Sequence, residues 1–323
     1  MRASALACAT PRSSRCSSGF SELSCLTYRL ARTAVKAQLL GGIAQWVVPY
    51  RFYRYFHRIH RARAEAAQLA PWLALTAANA SLRGIHQGRR CFVLCNGPGV
   101  KQQNLLPLAG EKVISVSNGY LHPDFGRFRP RYHCVPQITY GRLTEDDVVR
   151  WFGEMHERLG DAELFLSTTE QPLVESRRLF PGRKVRYLCL HGSLDERPHS
   201  QIPDISQAIP RVQSVPIMCL MLAMYLGFER IYLLGTEHDH FKTGEYKYFY
   251  EPTVLKGKDV STNQDGQVVS SRYQEFHELA ALWRQYRALR EIAHANSIEI
   301  WNATAGGELD EFPRVRLEDV VTA

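Results

Sequence analysis

Residues 91–99 read Cys-Phe-Val-Leu-Cys-Asn-Gly-Pro-Gly, a five-residue apolar run that stops dead on a turn. A short run of β-favouring residues closed by Asn-Gly-Pro-Gly reads as a buried strand ending in a tight turn. The pattern recurs along the chain. Strand candidates are Cys91–Cys95, Lys112–Val116, Tyr132–Val135, Glu163–Ser167, Val185–Leu190, Arg230–Leu234 and Ile298–Trp301. Helical stretches are read at 145–159, 172–179, 214–226 and 272–296. Such runs, separated by helices, predict a parallel sheet covered on both faces, which is a doubly wound α/β domain. Residues 191–211 carry three prolines and read as a long loop. Residues 239–271 read as a lid or acceptor-binding loop, having few core positions and many Tyr, Lys and Gly.

The 323 residues are 45% hydrophobic and 22% charged, so collagen-like, mucin-like and low-complexity classes are excluded. The formal charge of +8 is unevenly spread. Residues 1–90 hold 14 Lys/Arg against Glu22 and Glu65, about +12, while residues 91–323 hold 26 bases against 30 acids, about −4. The basicity therefore belongs to an N-terminal arm, and a nucleic-acid partner for the body is not expected. The first 35 residues are expected to be disordered, and lack the apolar core of a secretory signal. Residues 36–85 form a basic-aromatic helical arm, and residues 86–323 the α/β domain. Within 37–63 an interrupted apolar stretch, too short for the roughly 20 residues of a membrane span, precedes RFYRYFHRIHRAR. That run fits a helix lying on an anionic membrane surface. It also fits a helix that packs its aromatics on the body and leaves its arginines in water. Eight cysteines make neither a CxxC pair nor zinc spacing, so no structural metal is expected, and those inside apolar runs read as core.

Polar residues collect just past the strand ends. Asn96, Gly97, Pro98 and Gly99 form a turn whose amides would suit a phosphate. Asn118, past the second strand, is expected to point into the same crevice and to donate its amide. Gly235, Glu237 and Asp239 follow the Arg230–Leu234 strand, where a carboxylate suits ribose hydroxyls. Ser214 reads as the N-cap of an apolar helix, or as a phosphate ligand at its positive end. His277, early in the last long helix, has the chemistry of a general base.

Taken in order, strand-CNGPG, strand-SNGY, helix-LGFERIYLLGTEHDHF and a final helix-strand resemble the bacterial sialyltransferase-like and motility accessory factor glycosyltransferases. That group is merged with the 6-hydroxymethylpterin diphosphokinase (MptE-like) family. The resemblance covers about residues 88–315. It implies a Rossmann-like, variant glycosyltransferase-A fold with a mostly parallel sheet, binding a CMP-linked, sialic-acid-like sugar without an obligatory metal. It places Asn96, Gly97, Asn118, Ser214, Gly235 and Glu237 at the nucleotide, His277 as base, and Tyr246 and Tyr248 at the leaving phosphate. The chain departs from the family pattern with Gly99 for Ser, Glu237 for Asp, and Ser214-Val215-Pro216 for Thr-Ser-Gly. The expected partners are the nucleotide-sugar and a glycan or lipid-linked acceptor, with the protein cytoplasmic and peripheral on the inner face of the membrane. Two further readings stand beside this one. One is ATP- and Mg²⁺-dependent pterin diphosphokinase chemistry, with Glu237 and Asp239 serving the metal. The other is a non-enzymatic membrane-associated binding protein.

Overall fold

A computed structural model describes residues 50–138, 143–196, 200–243, 247–251 and 271–322. Tyr246, the 37–49 portion of the arm and most of the 239–271 loop lie outside them. The chain divides into two compact units, one ending at Ala70 and one running from Pro71 to Ala323. Helix α1 (Tyr50–Thr76) passes through that division and has Pro71 in its interior, where an N–H is missing from the ladder. In its earlier part Arg54, Arg58 and Arg63 are exposed, as is Tyr55. Among the described residues no helix is long and apolar enough to cross a membrane.

The second unit contains strands β1 (Arg90–Leu94) and β2 (Val113–Val116), helix α2 (Phe125–Phe128), strand β3 (Tyr132–Cys134) and helix α3 (Glu145–Arg158). These are followed by β4 (Glu163–Ser167), α4 (Gln171–Ser176), β5 (Val185–Leu190), β6 (Ala208–Ile209) and α5 (Val215–Leu226). Strand β7 (Arg230–Leu234), α6 (His240–Thr243), α7 (Arg272–Ala295), β8 (Glu299–Asn302) and α8 (Leu317–Val321) complete it. The eight strands form one sheet in the order β6-β5-β4-β3-β2-β1-β7-β8, and every pairing is parallel. This is the doubly wound α/β arrangement, with β1 between β2 and β7 and Val93 level with Ile114 on one side and Leu233 on the other. One detail differs from the sequence reading: the 191–211 stretch, read as loop, holds β6. The glycine turn runs directly into a 3₁₀ turn at Pro98–Gln102.

The alternation along β1 supplies both cores. Cys91, Val93 and Cys95 share one core with Met218 and Leu222 of α5 and Tyr286 and Leu289 of α7. Phe92 and Leu94 face the other way, into a cluster with Val148, Phe152 and Met155 of α3. Helix α5 is buried on every side, as its uniformly apolar sequence requires. Cys91, Cys95, Cys134, Cys189 and Cys219 are free and buried, behaving as small core residues. Helix α3 starts on a capping box in which the Asp147 N–H donates to Thr144 Oγ1 at 3.2 Å and Thr144 N–H to Asp147 Oδ2 at 2.9 Å.

Residues 76–82 belong to this unit by their bonds. Asn79 Nδ2 donates to the carbonyls of Tyr187 (2.8 Å) and Ile205 (3.0 Å), and Thr76 Oγ1 to that of Ser206 (2.9 Å). Arg186 reaches Asn79 Oδ1 at 3.3 Å and is hydrogen-bonded to the buried Glu163. Burial works against the Glu163 charge, but the bonds from Arg186 and Lys184 hold its pKa below the usual value. A charge pair this deep is kept only when both partners are saturated.

Candidate functional site

Strand order reverses at β1: β2 through β6 lie to one side of it, β7 and β8 to the other. Open parallel sheets take their ligands in the crevice outside the carboxyl ends of strands at such a reversal. The chain past β1 (Asn96–Gly99), past β2 (Ser117–Tyr120) and past β7 (Gly235–Asp239) all emerges at that edge.

The glycine turn is not the amide cradle that its sequence suggests. Gly97 N–H donates to Gly235 O at 3.0 Å, Gly99 N–H to Glu237 Oε1 at 2.7 Å, and Val100 N–H to Gly97 O at 3.3 Å. Pro98 has no N–H to offer. The amides are used because the chain past β7 keeps following the chain past β1. Close approach is what requires the glycines: a Cβ on Gly97 would lie 1.4 Å from Glu237 Oε2, and one on Gly99 would lie 2.6 Å from Ala305 O and from Glu237 Oε1. Glu237 is 5% exposed, and its second oxygen has no hydrogen-bond partner among the described residues. Burial raises the Glu237 pKa, against the pull of the Gly99 and Glu237 N–H groups. Thr236 anchors the same segment, its N–H meeting Thr304 Oγ1 at 3.1 Å.

On the other side of β1 the hydrogen bonds centre on His133 and Asn118, while the buried Tyr120 hydroxyl has no partner among the described residues. His133 is buried between Ser115 Oγ, 2.7 Å from its Nδ1, and Ser117 O, 3.0 Å from its Nε2. A carbonyl only accepts, so Nε2 carries the proton and Nδ1 accepts from the serine hydroxyl. Burial holds this imidazole neutral, with its pKa lowered to about 3. The bond fixes the carbonyl of Ser117, whose φ of 43° turns the chain as it leaves β2. Asn118 follows, 3% exposed and bonded at both ends. Trp151 Nε1 donates to its Oδ1 at 2.7 Å, and its Nδ2 donates to the Tyr250 hydroxyl at 3.0 Å. One N–H of the amide that was expected to reach a ligand is given to a tyrosine hydroxyl.

Phe249 N–H donates to Asn96 O at 3.0 Å and pins this loop to the end of β1. Tyr248 is half-buried and stacks on Tyr250 with ring centres 5.2 Å apart and planes at 9°. Asn96 Oδ1 is buried without a hydrogen-bond partner among the described residues.

The remaining residues are more scattered. Ser214 takes the N-cap position of α5, but its hydroxyl makes no capping bond. Asp239 is half-buried, with its carbonyl accepting from Lys242 N–H at 2.9 Å. His277 is exposed on α7 and stacks on Tyr273 at 6.1 Å. His238 turns inward instead, its Nε2 2.7 Å from the Tyr286 hydroxyl, and burial lowers its pKa to about 4. Behind the glycine turn lies a cleft of about 630 Å³ lined by Gln102, Gln103, Thr304, Arg314, Arg316 and Asp319, among others. Arg314 is held there by the carbonyls of Gly306 and Gly307, each at 2.7 Å. Among the described residues no group of three His, Cys, Asp or Glu is placed to hold a metal ion.

The sequence reading missed Trp151, Tyr250 and Arg314. Trp151 falls on the apolar stripe of α3 and reads as core, though a buried indole N–H always needs an acceptor, and that was the available signal.

No family model and no curated protein matches the chain. Two solved structures resemble it. One is the MAf glycosyltransferase from Magnetospirillum magneticum AMB-1, with a TM-score of 0.42 and 17% identity over 75% of this chain and 38% of that one. The other is the sialyltransferase CST-II in complex with CMP, with a TM-score of 0.34 and 12% identity over 66% of this chain and 80% of that one. The chain thus spans well under half the length of the first.

Proposed function

We propose that this chain is a glycosyltransferase that takes a nucleotide-activated sugar, CMP-linked and sialic-acid-like, in the crevice beside β1 and serves cell-surface glycan synthesis. The observation that supports the reading is the convergence of Asn96, Asn118 and Glu237 with Tyr248 and Tyr250 at the reversal point. Transfer forms a bond from the acceptor oxygen to the sugar as the sugar–phosphate bond breaks. The acceptor proton passes to a base, and the departing phosphate is stabilised by hydrogen-bond donors. Neutral tyrosine hydroxyls supply such donors. Glu237, nearly enclosed and with one oxygen unpartnered among the described residues, suits hydroxyl groups of the ribose better than it suits a phosphate. His277 is the base in this reading, and its exposure on α7 fits an acceptor arriving from solvent.

Thermal stabilisation of the full chain by CMP, CDP, UDP and ATP, each with and without Mg²⁺, tests the proposal. Stabilisation by CMP without metal is expected. Stabilisation by ATP only with Mg²⁺ would point to pyrophosphoryl transfer, and no response to any nucleotide to a binding module. His277→Ala is expected to abolish most transfer, by roughly 10²–10⁴-fold, with CMP binding retained. Unchanged turnover would remove His277 from the mechanism. The arm is assigned to an anionic membrane surface on the exposed arginines of α1 and the basic-aromatic run of 37–63. A chain lacking residues 1–66 should leave anionic liposomes that the full chain binds.

A further inference from the structure

The hydrogen bonds around Asn118 have only one direction. An indole N–H donates and never accepts. The atom that Trp151 Nε1 meets at 2.7 Å is therefore the carboxamide oxygen. The other end of Asn118 is then its NH₂, and at 3.0 Å it must donate to the Tyr250 hydroxyl. Tyr250 accepts there and keeps its own proton for a different partner. Among the described residues no acceptor is bonded to that proton. Burial raises the Tyr250 pKa, against the pull of the Asn118 bond, so the phenol stays protonated at working pH. Its place is fixed from both sides, by the Phe249 N–H on Asn96 O at 3.0 Å and by the Tyr248 ring stacked at 5.2 Å. Each bond in such a chain polarises the next, which strengthens the last donor.

We infer that Trp151, Asn118 and Tyr250 form a one-way relay that presents the Tyr250 hydroxyl as a donor to an oxygen of the bound ligand, with Asn118 a positioning residue and not a ligand contact. The ligand oxygen, a phosphoryl oxygen of CMP, rests on the proposed glycosyltransferase reading. The relay itself rests on the hydrogen bonds alone.

Calorimetric titration of the full chain with CMP decides it. Tyr250→Phe removes only the hydroxyl and should weaken CMP binding about tenfold or more, the scale of a lost bond to a charged group. Asn118→Asp still accepts from Trp151 but also accepts from Tyr250, drawing the phenol proton away from the ligand. It should cost about as much, and the double variant should bind no worse than either single one. Trp151→Phe, which frees the carboxamide to rotate, stands in for Asn118→Asp if melting curves show that the latter does not fold. Additive losses, about a hundredfold in the double variant, would mean that Asn118 meets CMP itself and would overturn the relay. Undiminished binding by Tyr250→Phe would overturn it too, while leaving the glycosyltransferase reading intact. A wild-type chain that binds no CMP overturns both.

Discussion

Glu237 and Asn118 stand on opposite sides of the end of β1, one past β7 and the other past β2, and both are nearly enclosed, at 5% and 3% exposure. Their bonding differs. Asn118 has a partner for each end of its carboxamide, while Glu237 has one for Oε1 and, among the described residues, none for Oε2. A buried polar group that is fully paired positions its neighbours cheaply. One that is half paired carries a desolvation cost that a ligand or a proton can relieve. The crevice therefore has a wall held by a bonded carboxamide on the Asn118 side and a wall carrying a half-bonded carboxylate on the Glu237 side.

The two walls should respond to pH with opposite signs. His133, under the Asn118 wall, has its pKa lowered from 6.5 to about 3. Its contribution is present above pH 6.5 and is lost as pH falls towards 3, because the unfolded chain binds the proton first. This amounts to a loss on the order of 4 kcal/mol between pH 7 and pH 3. Urea midpoints for His133→Gln should show that slope gone, and an unchanged slope would show that the charge on His133 is not what acid exploits. Gly97→Ala comes next. Its Cβ would fall 1.4 Å from Glu237 Oε2, so a loss of about 3 kcal/mol is expected. Part of it should return when Glu237→Ala is added, the remainder being the 2.7 Å approach of the same Cβ to Gly235 O, and no recovery would mean that Glu237 is not what the methyl strikes.

Trp151→Phe leaves Asn118 Oδ1 without its donor and should cost about 2 kcal/mol of stability. A cost near zero in denaturant titration would mean that the wall is not held by that bond. The smallest effect belongs to Glu237→Gln. The raised pKa means that the folded state holds a proton more tightly than the unfolded one, so wild-type stability falls as pH rises above 4.5. The amide should flatten that fall and gain about 1 kcal/mol at pH 7. A variant less stable at pH 7 would show that the carboxylate, not its neutral form, supports the turn.

Much of the fold was open to reading because buried parallel strands are short apolar runs. Seven of the eight strands fall where Cys91–Cys95 and its counterparts were placed. The exception, β6, is the pair Ala208–Ile209 next to Pro210, too short to leave a pattern. Positions of the site residues were legible too, since strand ends are punctuated by Asn and Gly. What each of them bonds to was not. Asn118 finds Trp151 33 residues away and Tyr250 132 away, and Gly99 finds Glu237 138 away. A turn that reads as a row of free amides loses them to a neighbour that only folding supplies.

Backbone hydrogen exchange of the full chain with and without CMP, in the absence of metal, tests most directly that the nucleotide enters between these two walls. Slowed exchange concentrated in residues 96–100, 117–121, 235–239 and 247–251 is the expected result. Protection lying elsewhere, or arising only with ATP and Mg²⁺, would contradict it.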